Sequence, residues 1–206
     1  MFSSLEEKRD FIINTLENLY PNPKIPLDHK NTFTFLVAVM LSAQSTDKKV
    51  NEITPALFAK ADSAKTMSLL KVEQIKKIIR QIGLAPTKSK NIKKMSQILV
   101  NEYNGKVPNS LEKLKALPGV GQKTASVIIS QIFNKPAFPV DTHIHRLAYR
   151  WKLSSGKNVV QTEKDLKIIF PVDLWNKLHL QIIFFGREYC KSRKTKCNCI
   201  ICSEIV

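Results

Sequence analysis

Residues 32–43 constrain this chain more than any other stretch. The run Thr-Phe-Thr-Phe-Leu-Val-Ala-Val-Met-Leu-Ser-Ala is apolar almost all round. As a helix it has no face left for water, so other helices must surround it. It falls well short of the roughly 18 apolar residues of a membrane span. Its β-branched and aromatic residues would also suit a strand, but no second strand-like run nearby could pair with it. The stretch reads as a buried central helix.

The remainder is helical in pattern nearly throughout. Residues 69–82 place Val72, Ile75, Ile79 and Ile82 at spacings of three and four, with Lys76, Lys77 and Arg80 between them, which predicts an amphipathic helix. The ten prolines punctuate this pattern rather than interrupt it. Pro21, Pro23 and Pro26 separate a first helix from the second, and Pro108, Pro118, Pro136, Pro139 and Pro171 fall at predicted helix boundaries. An all-α protein of about ten short helices is predicted. Its 206 residues suit one or two domains.

Lys and Arg number 33 against 17 Asp and Glu, a net charge of +16. Such an excess is either solubilising surface or a partner site for a polyanion. Local clusters occur at Lys88/Lys90/Lys93/Lys94 and Lys191/Arg193/Lys194/Lys196, with no detached basic tail. That distribution favours a folded basic face against phosphates. With 43% apolar residues and six glycines, collagen-like and disordered classes are excluded. The first ten residues hold no signal-peptide core, and their acidic pair argues against a transit peptide. A monomer of the cytoplasm, nucleoid-associated and with no membrane partner, is expected.

The most informative segment is Leu111-Glu112-Lys113-Leu114-Lys115-Ala116-Leu117-Pro118-Gly119-Val120-Gly121-Gln122-Lys123-Thr124-Ala125. A short helix ends, Pro118 and Gly119 break it, and Gly121 opens the next. Glycines here let the backbone turn sharply and approach a phosphate closely, and the second helix aims its free N–H groups outward. This is the pattern of a helix-hairpin-helix, a clamp on the DNA backbone that reads no sequence. Lys123 sits two residues into the second helix, with Ala125, Ile128, Ile129 and Ile132 roughly opposite it on the wheel. The wheel predicts that it shares a solvent face with Ser126, Val127 and Ser130. It is either a phosphate contact or a nucleophile, since helix N-termini and groove burial both disfavour an ammonium.

Eighteen residues on, Asp141 precedes a helical run within Val140-Asp141-Thr142-His143-Ile144-His145. It is a natural N-cap. A capping carboxylate stays ionised and rigid, so it can also stabilise a developing cation or assist proton transfer. His143 and His145 do not share a helix face, and read as a phosphate contact or packing residues rather than metal ligands.

All four cysteines, Cys190, Cys197, Cys199 and Cys202, lie within thirteen residues in the spacing C-x6-C-x-C-x2-C. Without a secretory signal, disulfides are not expected. Structural zinc usually pairs two knuckles across a longer stretch. One compact loop around a [4Fe–4S] cluster is the better fit, with zinc as the alternative. A bound metal would rigidify a basic loop containing Lys191 and Arg193, which could then hold a phosphate.

Taken together, these residues resemble the endonuclease III family of helix-hairpin-helix DNA glycosylases. The carriers are Leu41-Ser42-Ala43-Gln44-Ser45-Thr46-Asp47, Ile82-Gly83-Leu84, the hairpin with Lys123, Val140-Asp141-Thr142-His143, and Gly186-Arg187 leading to Cys190. The resemblance implies a six-helix barrel over 22–135, with the hairpin at about 111–133. It also implies a second helical domain from 1–21 and 136–206, carrying the cysteine loop at 190–202, with a DNA-binding cleft between the two. It implies a base-excision-repair enzyme that removes oxidised pyrimidines from duplex DNA and nicks the strand 3′ to the lesion. Lys123 matches the family nucleophile and Asp141 its catalytic aspartate. Gln44 matches the residue that fills the gap left by the flipped nucleotide, and Leu84 the wedge into the opposite side. Gly119, Gly121, His143, Lys191 and Arg193 are expected at the DNA backbone.

Two features depart from the family pattern. Its cysteines usually run C-x6-C-x2-C-x5-C, and only the first spacing matches here. Ala85-Pro86 replaces more polar residues after the wedge. Two alternatives stand beside this reading. One is a monofunctional glycosylase of the superfamily, against which Lys123 argues. Adenine glycosylases generally lack that lysine and carry a further C-terminal domain, for which four residues past Cys202 leave no room. The other is a non-enzymatic DNA-binding protein with a structural metal.

Overall fold

The computed structural model describes residues 2–192 and 197–205. Among them are twelve α-helices, one 3₁₀ turn and no strand, so the all-helical expectation holds. The chain forms two compact units, Ile25–Phe133 and the pair of segments Met1–Lys24 and Asn134–Val206.

The continuous unit is built on α2 (Thr32–Ser42). Asn31 starts it, its Oδ1 accepting from the Thr34 N–H at 2.9 Å while Thr34 Oγ1 accepts from the Asn31 N–H. Such reciprocal capping contributes about 1 kcal/mol. Every residue from Phe33 to Leu41 is buried. Around it lie α3 (Asp47–Lys60), α6 (Ala85–Tyr103) and α8 (Gln122–Gln131). The short α4 (Ala64–Leu69) and α5 (Val72–Ile78) pack on α6, and α7 (Leu111–Lys115) packs on α8. The 69–82 periodicity is realised only as α5. The chain leaves the helix after Ile78, yet Ile79 and Ile82 stay buried. The prolines do not all lie between helices. Pro55 lies inside α3 and Pro86 in the first turn of α6, where a missing N–H costs nothing.

The second unit joins both ends of the chain. It comprises α1 (Leu5–Leu19), α9 (Thr142–Arg150), α10 (Val159–Ile169), the 3₁₀ turn Val172–Leu174, α11 (Trp175–Glu188) and α12 (Ile200–Ile205). Helix α11 packs on both α1 and α9. Its core holds Ile12, Leu16, Ile144, Leu147, Trp151, Ile182 and Phe185, with Trp151 edge-on to Phe185 at 5.7 Å. The buried Gln181 donates to the carbonyls of Leu16 and Tyr20 at 3.3 and 3.0 Å, so α11 closes the end of α1. Lys177 adds an ion pair to Glu17 at 2.6 Å.

Candidate functional site

The hairpin between α7 and α8 separates its two glycines by role. Gly119 has φ +79°, and a Cβ there would lie 2.9 Å from both Asn91 Nδ2 and Met40 Cε. The fold itself requires that glycine. Gly121 has an ordinary extended conformation as the N-cap of α8, and a Cβ there would meet nothing within 4 Å. The protein has no internal need for it, and it leaves an exposed backbone open to close approach. The first hydrogen bond of α8 runs from the Ala125 N–H to the Gly121 carbonyl, so the preceding amides point out of the helix end.

Lys123 is exposed in the first turn of α8. The predicted solvent face does not exist, however. Ser126, Val127 and Ser130 are as buried as Ile128 and Ile129. The helix is enclosed on all sides beyond Thr124, so Lys123 is accessible because of its position along the axis.

Two further loops of this unit meet. Gln44 follows α2 with φ 57°, and Leu84 opens α6 with φ 61°. Left-handed conformations cost non-glycine residues about 1–3 kcal/mol each. Both side chains are exposed, Leu84 by 54%, which is unusual for an apolar residue held in a strained turn. Between them, the Gly83 N–H donates to Ser45 Oγ at 3.2 Å, and a Cβ on Gly83 would come within 2.9 Å of the Gln44 carbonyl oxygen. The basic cluster predicted at 88–94 is not one surface. Lys90 and Lys94 are exposed, but Lys88 is buried and Lys93 donates to the Ser68 carbonyl.

In the second unit, Asp141 is the N-cap of α9, its Oδ1 accepting from the Ile144 N–H at 2.9 Å. His143 is half-buried two residues on, where α9 crosses α11 closely enough that a Cβ on Gly186 would lie 3.3 Å from its ring. Burial lowers its basicity, ahead of the opposing pull of Asp141 and the repulsion of Arg146 and Arg187. His145 makes a hydrogen bond to Thr162 Oγ1 at 2.8 Å and is a packing residue.

The four cysteine Sγ atoms all lie within 4.8 Å of one another, three of them buried. The shortened spacing therefore still brings every thiol to one point. A donor set of thiols alone suits a soft metal site, zinc or iron–sulfur. Donation from the Cys202 thiol, helped by Arg150, brings the Cys190 thiol down to about 5. Burial pushes the Cys199 thiol up to about 11. The composition of α9 did not reveal Arg146 and Arg150, which sit one turn apart and reach this loop. Arg146 donates to the carbonyls of Gly186 and Cys190 at 3.1 and 2.8 Å, and Arg150 to the Lys191 carbonyl at 3.2 Å. Their spacing of four was the available signal, but their partners lie about 40 residues downstream. The Lys191 side chain is exposed. Arg193 lies outside the described residues, as do Lys194 and Lys196.

A glycine hairpin with an exposed helix-start lysine, a capping aspartate and a four-thiol loop together define a class. Residues 37–171 match the HhH-GPD superfamily of base excision DNA repair proteins. Endonuclease III of Escherichia coli strain K12 is 41% identical over 195 residues, covering 94% of this chain and 92% of the relative. Among solved structures, a non-covalent endonuclease III–DNA complex superposes with a TM-score of 0.92 at 36% identity, covering 100% of this chain and 95% of that one. A trapped endonuclease III–DNA covalent intermediate superposes at 0.90 with 36% identity, covering 98% and 94%. Within that superfamily, this chain belongs to the endonuclease III family.

Proposed function

We propose that the protein is a bifunctional DNA glycosylase and abasic-site lyase of base excision repair, acting on oxidised pyrimidines in duplex DNA. The observation that carries this reading is the exposed Lys123 in the first turn of α8, directly after the Gly119–Gly121 hairpin, in a chain whose relatives include one trapped covalently on DNA.

The chemistry follows from an amine at that place. The target nucleotide must leave the stack, because C1′ is unreachable inside a duplex. Lys123 Nζ attacks C1′, and the N-glycosidic bond breaks with its electron pair leaving on the base, which takes up a proton. The C1′–O4′ bond opens as the amine proton passes to O4′, leaving a protonated imine. Loss of a C2′ proton then expels the 3′ phosphate and nicks the strand. Water hydrolyses the imine and returns the lysine. The Asp141 carboxylate, rigid on α9, stabilises the positive charge developing at C1′.

Gln44 and Leu84 fill the space the nucleotide leaves, an apolar wedge offsetting part of the lost stacking. The Gly119–Gly121 backbone, His143, Lys191 and Arg193 contact phosphates. The unit Ile25–Phe133 serves as the barrel domain and the unit of both termini as the cluster domain. Cys190, Cys197, Cys199 and Cys202, whose thiols converge, would hold a [4Fe–4S] cluster, the single compact loop they share being the reason for preferring iron–sulfur to zinc. When bound, the cluster supplies a rigid, charged anchor for the basic loop. The enzyme acts as a monomer on nucleoid DNA in the cytoplasm. No described helix is long and apolar enough to cross a membrane.

Borohydride trapping on a duplex with one abasic site tests the reading. Wild type is expected to give a covalent adduct that Lys123→Ala does not. Absence of an adduct in wild type that binds DNA would remove the lyase assignment.

A further inference from the structure

Lys88 is a lysine the proposed chemistry does not use, and it is 6% exposed. Its Nζ donates to the Leu41 carbonyl at 2.8 Å and also to the Ala43 carbonyl. Those carbonyls end α2 immediately before Gln44. Its backbone N–H donates to the Leu84 carbonyl at 2.9 Å. That backbone bond is the ordinary first turn of α6, so the lysine side chain that reaches the neighbour of Gln44 stands one helical turn from Leu84.

The choice of a lysine is informative. Buried cations are costly without a paired anion, and the hydrogen-bond partners of this one among the described residues are carbonyl oxygens. Burial correspondingly lowers its proton affinity, with no carboxylate opposing. A helix end needs no such residue, since a glycine and backbone bonds close many of them. What a cation provides is a directional tie from α6 to the negative end of α2. It acts together with the Gly83–Ser45 hydrogen bond and the close approach of Gly83 to the Gln44 carbonyl. Gln44 and Leu84 are both in left-handed turns, which persist only where the surroundings over-determine them.

We propose that Lys88 is a positioning residue that locks the Gln44 and Leu84 turns into one rigid inserting unit, so that both side chains enter the duplex together. This rests on the reading of Gln44 and Leu84 as the inserting pair. The expectation is that Lys88 governs recognition of a gap in the stack, not general affinity for DNA.

The test uses the full-length holo-protein and a duplex with a tetrahydrofuran abasic analogue beside 2-aminopurine, whose fluorescence reports insertion without chemistry. Lys88→Met keeps length and removes the charge. It is expected to lose about tenfold in preference for the gapped over the undamaged duplex, with a matching loss of the 2-aminopurine signal. Affinity for undamaged duplex should stay within about twofold. Lys88→Met added to the Gln44→Ala/Leu84→Ala double variant should be no worse than that double variant alone, a result that simple loss of structure would not give. If Gln44→Ala and Leu84→Ala lose insertion while Lys88→Met keeps it, the proposal is overturned. If all three keep it, the inserting-pair reading itself fails. Should Lys88→Met not fold, Ser45→Ala removes the second tie between the two turns, the Gly83–Ser45 hydrogen bond, and wild-type insertion there overturns the rigid unit.

Discussion

Arg150 Nη1 donates to Cys190 Sγ at 3.1 Å, so the helix that begins at Asp141 ends on a cysteine of the four-thiol loop. A hydrogen bond from a guanidinium favours the thiolate that a metal requires. Helix α9 therefore carries a capping carboxylate at one end and a cation for the metal site at the other.

Removing that cation should loosen the metal without unfolding the helix. Arg150→Ala is expected to bleach the visible absorbance near 400 nm several-fold faster in air than wild type, at similar helical content. Time-resolved absorbance beside circular dichroism checks this, and equal bleaching rates would contradict it.

Asp141 combines two roles that one pair of substitutions separates. Asn caps helices as well as Asp does, so Asp141→Asn should leave thermal stability nearly unchanged while lowering base release by about a hundredfold or more. Asp141→Ala should lose comparable activity and about 1 kcal/mol of stability as well. Single-turnover excision and denaturant melts read the two effects separately.

The two hairpin glycines should fail in opposite ways. Gly119→Ala forces a Cβ into a positive-φ turn against Asn91 and Met40, and should cost at least about 1 kcal/mol of stability. Gly121→Ala should fold as wild type yet bind duplex DNA less tightly. A stable Gly119→Ala protein, or a Gly121→Ala protein of unaltered affinity, would reverse this assignment.

Lys123→Arg keeps the charge but cannot form the imine. It should bind an abasic duplex within a few-fold of wild type and give no borohydride adduct. Gel-shift titration and trapping on the same preparation measure both.

His143 should make stability pH-dependent in one direction. Burial lowers its folded basicity below the ordinary value of 6.5, Arg146 and Arg187 acting in the same sense and Asp141 and the Gly186 backbone against it. The fold therefore prefers the neutral ring. That contribution is complete above about pH 6.5 and is lost as pH falls toward the lower folded value. Melting temperature should drop between pH 7.5 and 5.5 more in wild type than in His143→Gln. Parallel curves would show that another group dominates.

What the sequence made legible was local. The all-round apolar run became the buried α2, Asp141 capped the helix predicted to follow it, and the hairpin turned where its glycines stand. Each depends on residues within one or two turns. Lys88 could not be recognised as buried, because its partners lie 45 and 47 residues away and its neighbours Lys90 and Lys94 are ordinary surface lysines. The accessibility of Lys123 was expected, but for a reason the fold contradicts. A helical wheel assumes one wet face, whereas α8 is enclosed all round after its first turn. Arg150 likewise read as a basic residue until the cysteine loop came back to it.

The bond between Gln181 and the Leu16 carbonyl joins residues 165 positions apart, and the unit Ile25–Phe133 lies wholly between them. At ribosomal rates of roughly 5–20 residues per second, about 8–33 seconds separate the synthesis of these two residues. Before that interval ends the intervening unit has its whole sequence, while the first helix still lacks the partner that covers Ile12 and Leu16. The order of synthesis thus makes the cysteine-bearing unit the last to close, and makes α1 the stretch a chaperone would meet exposed.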